Sequence, residues 1–162
     1  MTHNSIVSKD TLVGIWKLVE LKSIDKEQKI SYPYGQNPGG QIIYTQEGYM
    51  SASIMISNRL NLELSLEEIQ NAKNVSKLKL ITNIPKFIKA TLRYFQAAKN
   101  YTSYSGKYEI RDNKVIHHVE VSLIPDWIGV DLERTFELSE DILVLTASSM
   151  DNNLCITWQR VS

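Results

Sequence analysis

His117 and Arg134 are the two residues of this sequence whose side chains could bind or react inside a folded core. Residues 104–138 read as three consecutive antiparallel strands, and the Asp-Asn pair at 112–113 tolerates the geometry of a tight hairpin turn. That turn pairs Tyr108 with His117, and directly paired residues share one face of a sheet. The pattern therefore predicts that His117 lies on the apolar face of the hairpin.

The two faces of this hairpin differ in composition, which specifies the register because a one-residue slip would mix them. The apolar, inward face is predicted to hold Tyr104, Gly106, Tyr108, Ile110, Val115, His117, Val119 and Val121. The solvated, outward face is predicted to hold Ser105, Lys107, Glu109, Ile116, His118, Glu120 and Ser122.

Two interpretations of His117 stay open: a core imidazole hydrogen-bonded to a tyrosine or a backbone carbonyl, or a ligand contact. His118 points the other way and is predicted to form an ordinary exposed pair with Glu120.

Arg134 falls in an apolar row with Leu132, Phe136 and Leu138 on the strand at 130–138. An unpaired guanidinium inside a protein is very costly, so Arg134 needs an internal carboxylate, carbonyls and water, or an anionic ligand. The alternative is that a position near the strand end lets the long side chain reach water.

The composition predicts one ordinary globular domain, with 43% hydrophobic and 22% charged residues in a chain of 162. Equal numbers of basic and acidic residues, 18 each, give no global field that favours nucleic acid. The single cysteine, Cys155, suits a reducing compartment, and residues 1–10 are a polar tail without the apolar core of a signal peptide. We therefore expect a cytoplasmic protein, with residues 11–162 as its one domain.

Alternating patterns and short turns predict an all-β fold, an eight-stranded up-and-down antiparallel β-barrel with room for one small ligand. Tyr44 is predicted to pair with Met50 around a turn that contains Gly48. The inner face of the first strand stays unassigned, because both of its faces carry apolar residues. A strand that bends, or one that is covered on both sides, would explain this pattern. The strands are expected at about 12–24, 40–45, 49–56, 103–110, 114–122, 129–138, 142–148 and 154–161.

A helical insertion interrupts the strands at about residues 60–100. Ser65 and Glu68 form a capping box, and a second helix starts near Pro85 with Ile88, Leu92 and Phe95 along one stripe. The insertion also carries basic residues that include Lys86, Lys89 and Arg93. They are either a solvated face or a basic lid that attracts anionic ligands or an acidic membrane surface.

Several motifs resemble the bacterial and fungal lipocalin-like domain family of the calycin group: LVGIWKLVE, YPYG, GGQIIYTQEGYMSA, YSGKYEI, VIHHVEVSLIPDWIG and TWQR. The resemblance covers most of the chain outside residues 57–97. It implies a lipocalin-like barrel around a small, largely apolar molecule, without one common activity. It also implies that Gly14 and Trp16 open the first strand and that Arg160 packs over Trp16 by a cation–π contact.

The predicted pocket combines aromatic walls with a few polar groups, which is typical of small-molecule sites. We expect it to bind an apolar or amphipathic ligand, whose carboxylate Arg134 could hold. The alternatives are a cofactor-free isomerase, cyclase or hydratase that uses His117, and a scaffold that docks a partner or membrane through Lys86, Lys89 and Arg93. No motif for a cofactor, a metal site or a nucleophile occurs. The predicted lining is Tyr44, Met50, Tyr104, Tyr108, His117, Arg134, Phe136 and Trp158, with Trp127 near one mouth.

Overall fold

The structure is a computed structural model that describes residues 11–65, 67 and 84–161. The described residues fall into two compact units, one within residues 1–57 and 102–162 and the other within residues 58–101. The elements in chain order are β1 (Gly14–Asp25), β2 (Ile30–Ser31), β3 (Gly39–Tyr44), β4 (Tyr49–Met55), α1 (Ile84–Lys99), β5 (Tyr101–Arg111), β6 (Lys114–Ser122), a 3-10 turn (Pro125–Trp127), β7 (Asp131–Ser139), β8 (Ile142–Ser148) and β9 (Asn152–Arg160).

The strands of the first unit form one antiparallel sheet that closes on itself. Its order is β1-β3-β4-β5-β6-β7-β8-β9, and β9 pairs back onto β1. Closure makes an eight-stranded barrel, so the all-β fold class predicted from the sequence is confirmed. The two-residue strand β2 is an addition that pairs with β1 at the edge. A closed barrel has an inside and an outside, and alternate side chains of each strand enter the inside.

The predicted hairpin registers are largely confirmed. Tyr44 pairs with Met50, and Gly48 takes the left-handed conformation that the turn needs, with φ of 94°. Across the second turn Tyr108 pairs with His117. Asp112 in that turn has a positive φ of 54°, which Asp tolerates better than most residues.

A β-bulge in β1 explains why its inner face could not be assigned from the sequence. The pairing of β1 with β9 shifts between Leu18 and Glu20. Before the shift Trp16 and Leu18 are buried, and after it Leu21 and Ser23 are. One extra residue reverses the alternation, so both parities of the strand carry apolar side chains.

A second bulge corrects the prediction for Val121. The β5–β6 register shifts between Ser105 and Gly106, so that Tyr104 pairs with Ser122 instead of Val121. Val121 is therefore 65% exposed, while Tyr104 stays buried.

Ile116 lies on the outward face, as predicted, but it is not solvated. It is only 4% exposed, so the predicted exposure was wrong. Its cross-strand partners are Glu109 on β5 and Glu133 on β7. Side chains directly opposite one another lie within contact distance, so these long neighbours flank Ile116 from both sides.

The second unit contains helix α1, which begins at Ile84 and includes Pro85 in its first turn. Arg93 is held by Glu63 Oε1 at 2.6 Å and by the carbonyl of Asn61 at 2.8 Å. Lys89 also pairs with Glu63, at 2.9 Å.

The predicted apolar stripe of this helix, Ile88, Leu92 and Phe95, is exposed. Ala90, on the adjacent face of the helix, is buried. Glu68 of the predicted capping box lies outside the described residues. None of the helices in the described part of the chain has the length and apolar character that crossing a membrane requires.

We predict that Gly106→Ala strongly destabilises the barrel. The bulge brings the β6 backbone so close that a Cβ at Gly106 would lie 1.9 Å from the His118 carbonyl oxygen. The strand must move, at a cost of about 3 kcal/mol or more in the free energy of unfolding measured by urea titration. Gly39→Ala is the matched control, because its Cβ would make ordinary contact with Met55 at 3.4 Å. Equal stability of the two variants would contradict the tight approach.

Candidate functional site

The side chains predicted to line the pocket come from six different strands and one turn. Tyr44, Met50, Tyr104, Tyr108, His117, Phe136 and Trp158 are all buried. Trp127 is partly buried against the same cluster, and its ring meets Tyr104 edge-on at 5.7 Å. Arg134 is partly exposed and pairs with the buried residue Val115, which places it in the inward row of β7.

His117 is the centre of a buried hydrogen-bonded network. The Tyr44 hydroxyl lies 2.7 Å from its Nε2, and the Tyr104 hydroxyl lies 3.1 Å from its Nδ1. The tyrosines approach from β3 and β5, so the network spans the inside of the barrel. Both nitrogens of a fully buried imidazole are thereby engaged.

Burial keeps the three members of this network neutral. The pKa of His117 is lowered from 6.5 to about 3, mainly by burial and in smaller part by the positive charges of Arg134 and His118. Burial also raises the pKa of Tyr44 and of Tyr104, while the positive charge of Arg134 partly opposes both shifts. The hydroxyls and the imidazole are therefore uncharged near neutral pH.

Arg134, in the inward row of β7, places a positive charge close enough to act on this network. Its Nη1 donates to the backbone carbonyl of Glu133 at 2.7 Å. Among the residues that the structure describes, no carboxylate lies within ion-pair distance of the guanidinium. Several of its five N–H donors therefore remain for other acceptors.

Trp158 adds an uncharged donor. It is 1% exposed and pairs with the inward residues Leu18 and Leu143. Its indole Nε1 is buried without a hydrogen-bond partner among the described residues. An indole N–H can only donate, so this position calls for an acceptor.

The remaining predicted lining residues make contacts outside the His117 network. The Tyr108 hydroxyl donates to the carbonyl of Thr45 at 3.0 Å, which ties it to the β3–β4 turn. Met50 and Phe136 supply apolar surface.

Tyr34 is a core residue that was not predicted from the sequence. It packs against the same core, and its hydroxyl lies 2.5 Å from Thr102 Oγ1. Its signal was an aromatic residue between the turn-forming Pro33 and Gly35.

Arg160 lies over Trp16, as a structural pair would require. Its guanidinium carbon is 4.0 Å from the ring centroid. Its two terminal nitrogens donate to the carbonyls of Val13 at 2.8 Å and Thr11 at 2.9 Å, and the Trp16 indole donates to Leu12 O at 2.9 Å. Gly14, where β1 begins, pairs with Tyr44. The contacts tie the chain before β1 to the end of β9.

The outward His118 pairs across strands and not along its own strand. Its Nδ1 is 2.6 Å from Asp131 and its Nε2 is 3.3 Å from Glu109, so the prediction of a pair with Glu120 was wrong. Cross-strand neighbours are closer than residues two apart on one strand. Within the described ranges, no three His, Cys, Asp or Glu side chains cluster as a metal site requires.

Comparison with known proteins links this geometry to a family. Residues 13–161 match the family model described as a lipocalin-like domain. A relative in Aspergillus oryzae, the 4'-hydroxy-3'-methoxypropiophenone carrier protein ppsC, is 32% identical over 79 residues, which cover 40% of this chain and 71% of the relative. No solved structure matches the chain.

We predict that His117 makes the barrel less stable in mild acid. Its pKa is about 3 when folded and about 6.5 in an unfolded chain, so only the unfolded chain takes up a proton as the pH falls below 6.5. The free energy of unfolding should fall by up to about 1.4 kcal/mol per pH unit between pH 6.5 and 4.5. The lowered pKa values of Glu63 and Glu133 act in the same direction, but below pH 4.5.

The measurement is urea unfolding across this pH range for the wild type, His117→Gln and the outward control His118→Gln. The slope should flatten in His117→Gln alone. An unchanged slope in that variant would show that His117 is not the group responsible.

We further predict that Arg160→Leu lowers the free energy of unfolding by about 3 kcal/mol. The change removes a cation–π contact and leaves two backbone carbonyls without their charged donors. Arg111→Leu should cost under 1 kcal/mol, because Arg111 forms an exposed pair with Glu109. Thermal unfolding in which both variants match the wild type would contradict a structural role for Arg160.

Proposed function

Since the chain belongs to the lipocalin-like domain family, we propose that it binds a small apolar or amphipathic molecule inside its barrel. A closed barrel of eight strands encloses room for side chains or one small ligand. Here the buried core includes six aromatic side chains, and polar groups at His117 converge from several strands. The six are Trp16, Tyr44, Tyr104, Tyr108, Phe136 and Trp158. Aromatic walls with a few placed polar groups favour a compact, partly aromatic ligand.

The observation that carries the finer proposal is the charge of Arg134. The other residues in its row on β7 are apolar. Among the residues that the structure describes, no carboxylate lies within ion-pair distance of its guanidinium. A carboxylate or another anionic group on the ligand would offset the cost of this charge through paired, charge-assisted hydrogen bonds. The ligand would then lie with its anionic end at Arg134 and its apolar body among the aromatic rings.

The fungal relative gives independent support for a carrier. Its name describes a protein that carries a propiophenone with hydroxy and methoxy groups, which is a small aromatic ketone. A molecule of that class would suit an aromatic interior that offers hydrogen-bond donors. We extend only the ligand class to this chain.

We do not propose turnover. An acid–base group works best when its pKa is near the working pH. The pKa of His117 is about 3, and both of its ring nitrogens are already engaged by tyrosines. These properties favour a fixed structural and binding role over proton transfer.

A membrane contact through Lys86, Lys89 and Arg93 has less support than ligand binding. Glu63 pairs with both Lys89 and Arg93, which leaves less of their charge for an acidic surface. The side chain of Lys86 lies outside the described residues.

The test of the proposed function compares two probes of nearly equal shape, 2-naphthoate and 2-acetylnaphthalene. Arg134→Leu should weaken binding of the anionic naphthoate about tenfold or more, because a charge-assisted hydrogen bond contributes about 1.5–3 kcal/mol. It should change the affinity for the neutral ketone by less than about twofold. Isothermal titration calorimetry measures both.

The matched control is Arg111→Leu, which removes the same charge from an exposed outward residue. It should leave both affinities unchanged. Equal losses for the two probes in Arg134→Leu would contradict the role of Arg134 as an anion anchor. Absence of binding by either probe to the wild type would contradict the binding function for this ligand class.

A further inference from the structure

The network around His117 contains one more hydrogen than it can use. A neutral imidazole carries one N–H, and the Tyr44 and Tyr104 hydroxyls carry one hydrogen each. These three hydrogens serve two contacts, one at each ring nitrogen. One nitrogen accepts from a tyrosine and the other donates to a tyrosine, so one hydroxyl hydrogen is left over in either tautomer.

The two contact lengths assign the leftover hydrogen to Tyr104. Hydroxyl donors make shorter contacts than N–H donors on average, so the contact of 2.7 Å favours the Tyr44 hydroxyl as the donor and the contact of 3.1 Å favours the imidazole N–H as the donor to Tyr104. Tyr44 therefore donates to Nε2, and Nδ1–H donates to the Tyr104 oxygen. The hydroxyl hydrogen of Tyr104 then has no acceptor within this network.

No acceptor for this hydrogen comes from the described surroundings either. The hydroxyl of Tyr104 has His117 as its one hydrogen-bond partner among the described residues. Its ring is covered at the edge by Trp127, and Trp158 in the same cluster has an N–H that also lacks a partner. A buried donor without an acceptor costs about 1–3 kcal/mol, which a suitable ligand would recover.

We infer that Tyr104 donates a hydrogen bond to a neutral oxygen acceptor on the ligand, so that the barrel selects aromatic carbonyl compounds over hydrocarbons of the same shape. This inference rests on the proposed binding function and adds a second determinant to Arg134. Tyr44 and His117 act on the ligand through Tyr104, because they hold its oxygen as an acceptor and turn its hydrogen away from the imidazole. Ligands whose polar group has donors and no acceptor, such as an ammonium group, gain nothing from this arrangement.

The experiment compares 2-acetylnaphthalene with 2-isopropenylnaphthalene, in which C=CH2 replaces C=O. Calorimetry on the wild type should show the ketone binding about tenfold more tightly than the alkene. Tyr104→Phe should bring this ratio close to one.

Tyr108→Phe is the matched control. Tyr108 is also a buried tyrosine of β5, but its hydroxyl is already engaged by the Thr45 carbonyl. Its replacement should leave the ratio near tenfold. A second measurement is independent of ligand affinity: the imidazole nitrogen-15 shifts of His117 in the free protein should show Nδ1 protonated and Nε2 unprotonated.

Each outcome decides between the two claims. A ratio near one in the wild type, or a ratio that survives Tyr104→Phe, would overturn the donor role of Tyr104 and leave the binding function standing. The opposite tautomer in the nitrogen-15 spectrum would overturn it as well. If neither probe binds the wild type, both the binding function and this inference fail.

Discussion

Closure of the sheet is the constraint on which the rest of the structure depends. When β9 pairs back onto β1, one face of every strand turns inward, away from bulk water. Polar groups on that face must then find partners inside or leave hydrogen-bonding capacity unused. The core could be closed with apolar residues alone, yet it contains His117, its two tyrosine partners and the indole of Trp158, and Arg134 lies in the inward row beside them. Their satisfied and unsatisfied atoms are the basis of the proposed binding function.

The interior combines the neutral imidazole of His117 with the nearby cation Arg134, and the charge of Arg134 helps to keep the imidazole neutral. Burial and the charge of Arg134 both keep His117 unprotonated, so the network adds no second positive charge. What remains are donors: the guanidinium, the Tyr104 hydroxyl and the Trp158 N–H. Donors without acceptors are costly in an empty barrel and favourable around an oxygen-bearing guest. The same arrangement therefore has a cost in stability and is the basis of the proposed preference for one class of ligand.

Much of the barrel could be predicted because the turns specify the register. The turns at Gly48 and at Asp112 fix the pairs Tyr44–Met50 and Tyr108–His117, and alternation carries each assignment along its strand. The positions of the bulges could not be predicted. In β1, apolar residues on both faces indicate that the alternation breaks but not at which residue. In β6 the apolar alternation continues past the bulge, so Val121 was misplaced.

The hydrogen-bond partners of the inward polar groups also could not be predicted from the sequence. Whether His117 meets Tyr44 depends on the distance across the barrel between strands 73 residues apart in the chain. The sequence predicted a tyrosine or a carbonyl as the partner of a core imidazole, and left the choice open. The exposed stripe on α1 has a similar reason, because a periodic pattern identifies an apolar face of a helix without naming what contacts it.

The most direct test of a ligand held inside the barrel is the indole N–H spectrum of the three tryptophans during titration with 2-naphthoate. Trp16 provides an internal reference, because its indole already donates to Leu12. We expect the Trp158 N–H signal to shift and to show a nuclear Overhauser effect to the probe, while the Trp16 signal stays in place. Saturable binding that leaves the Trp158 signal unchanged would place the ligand outside the barrel and contradict the account.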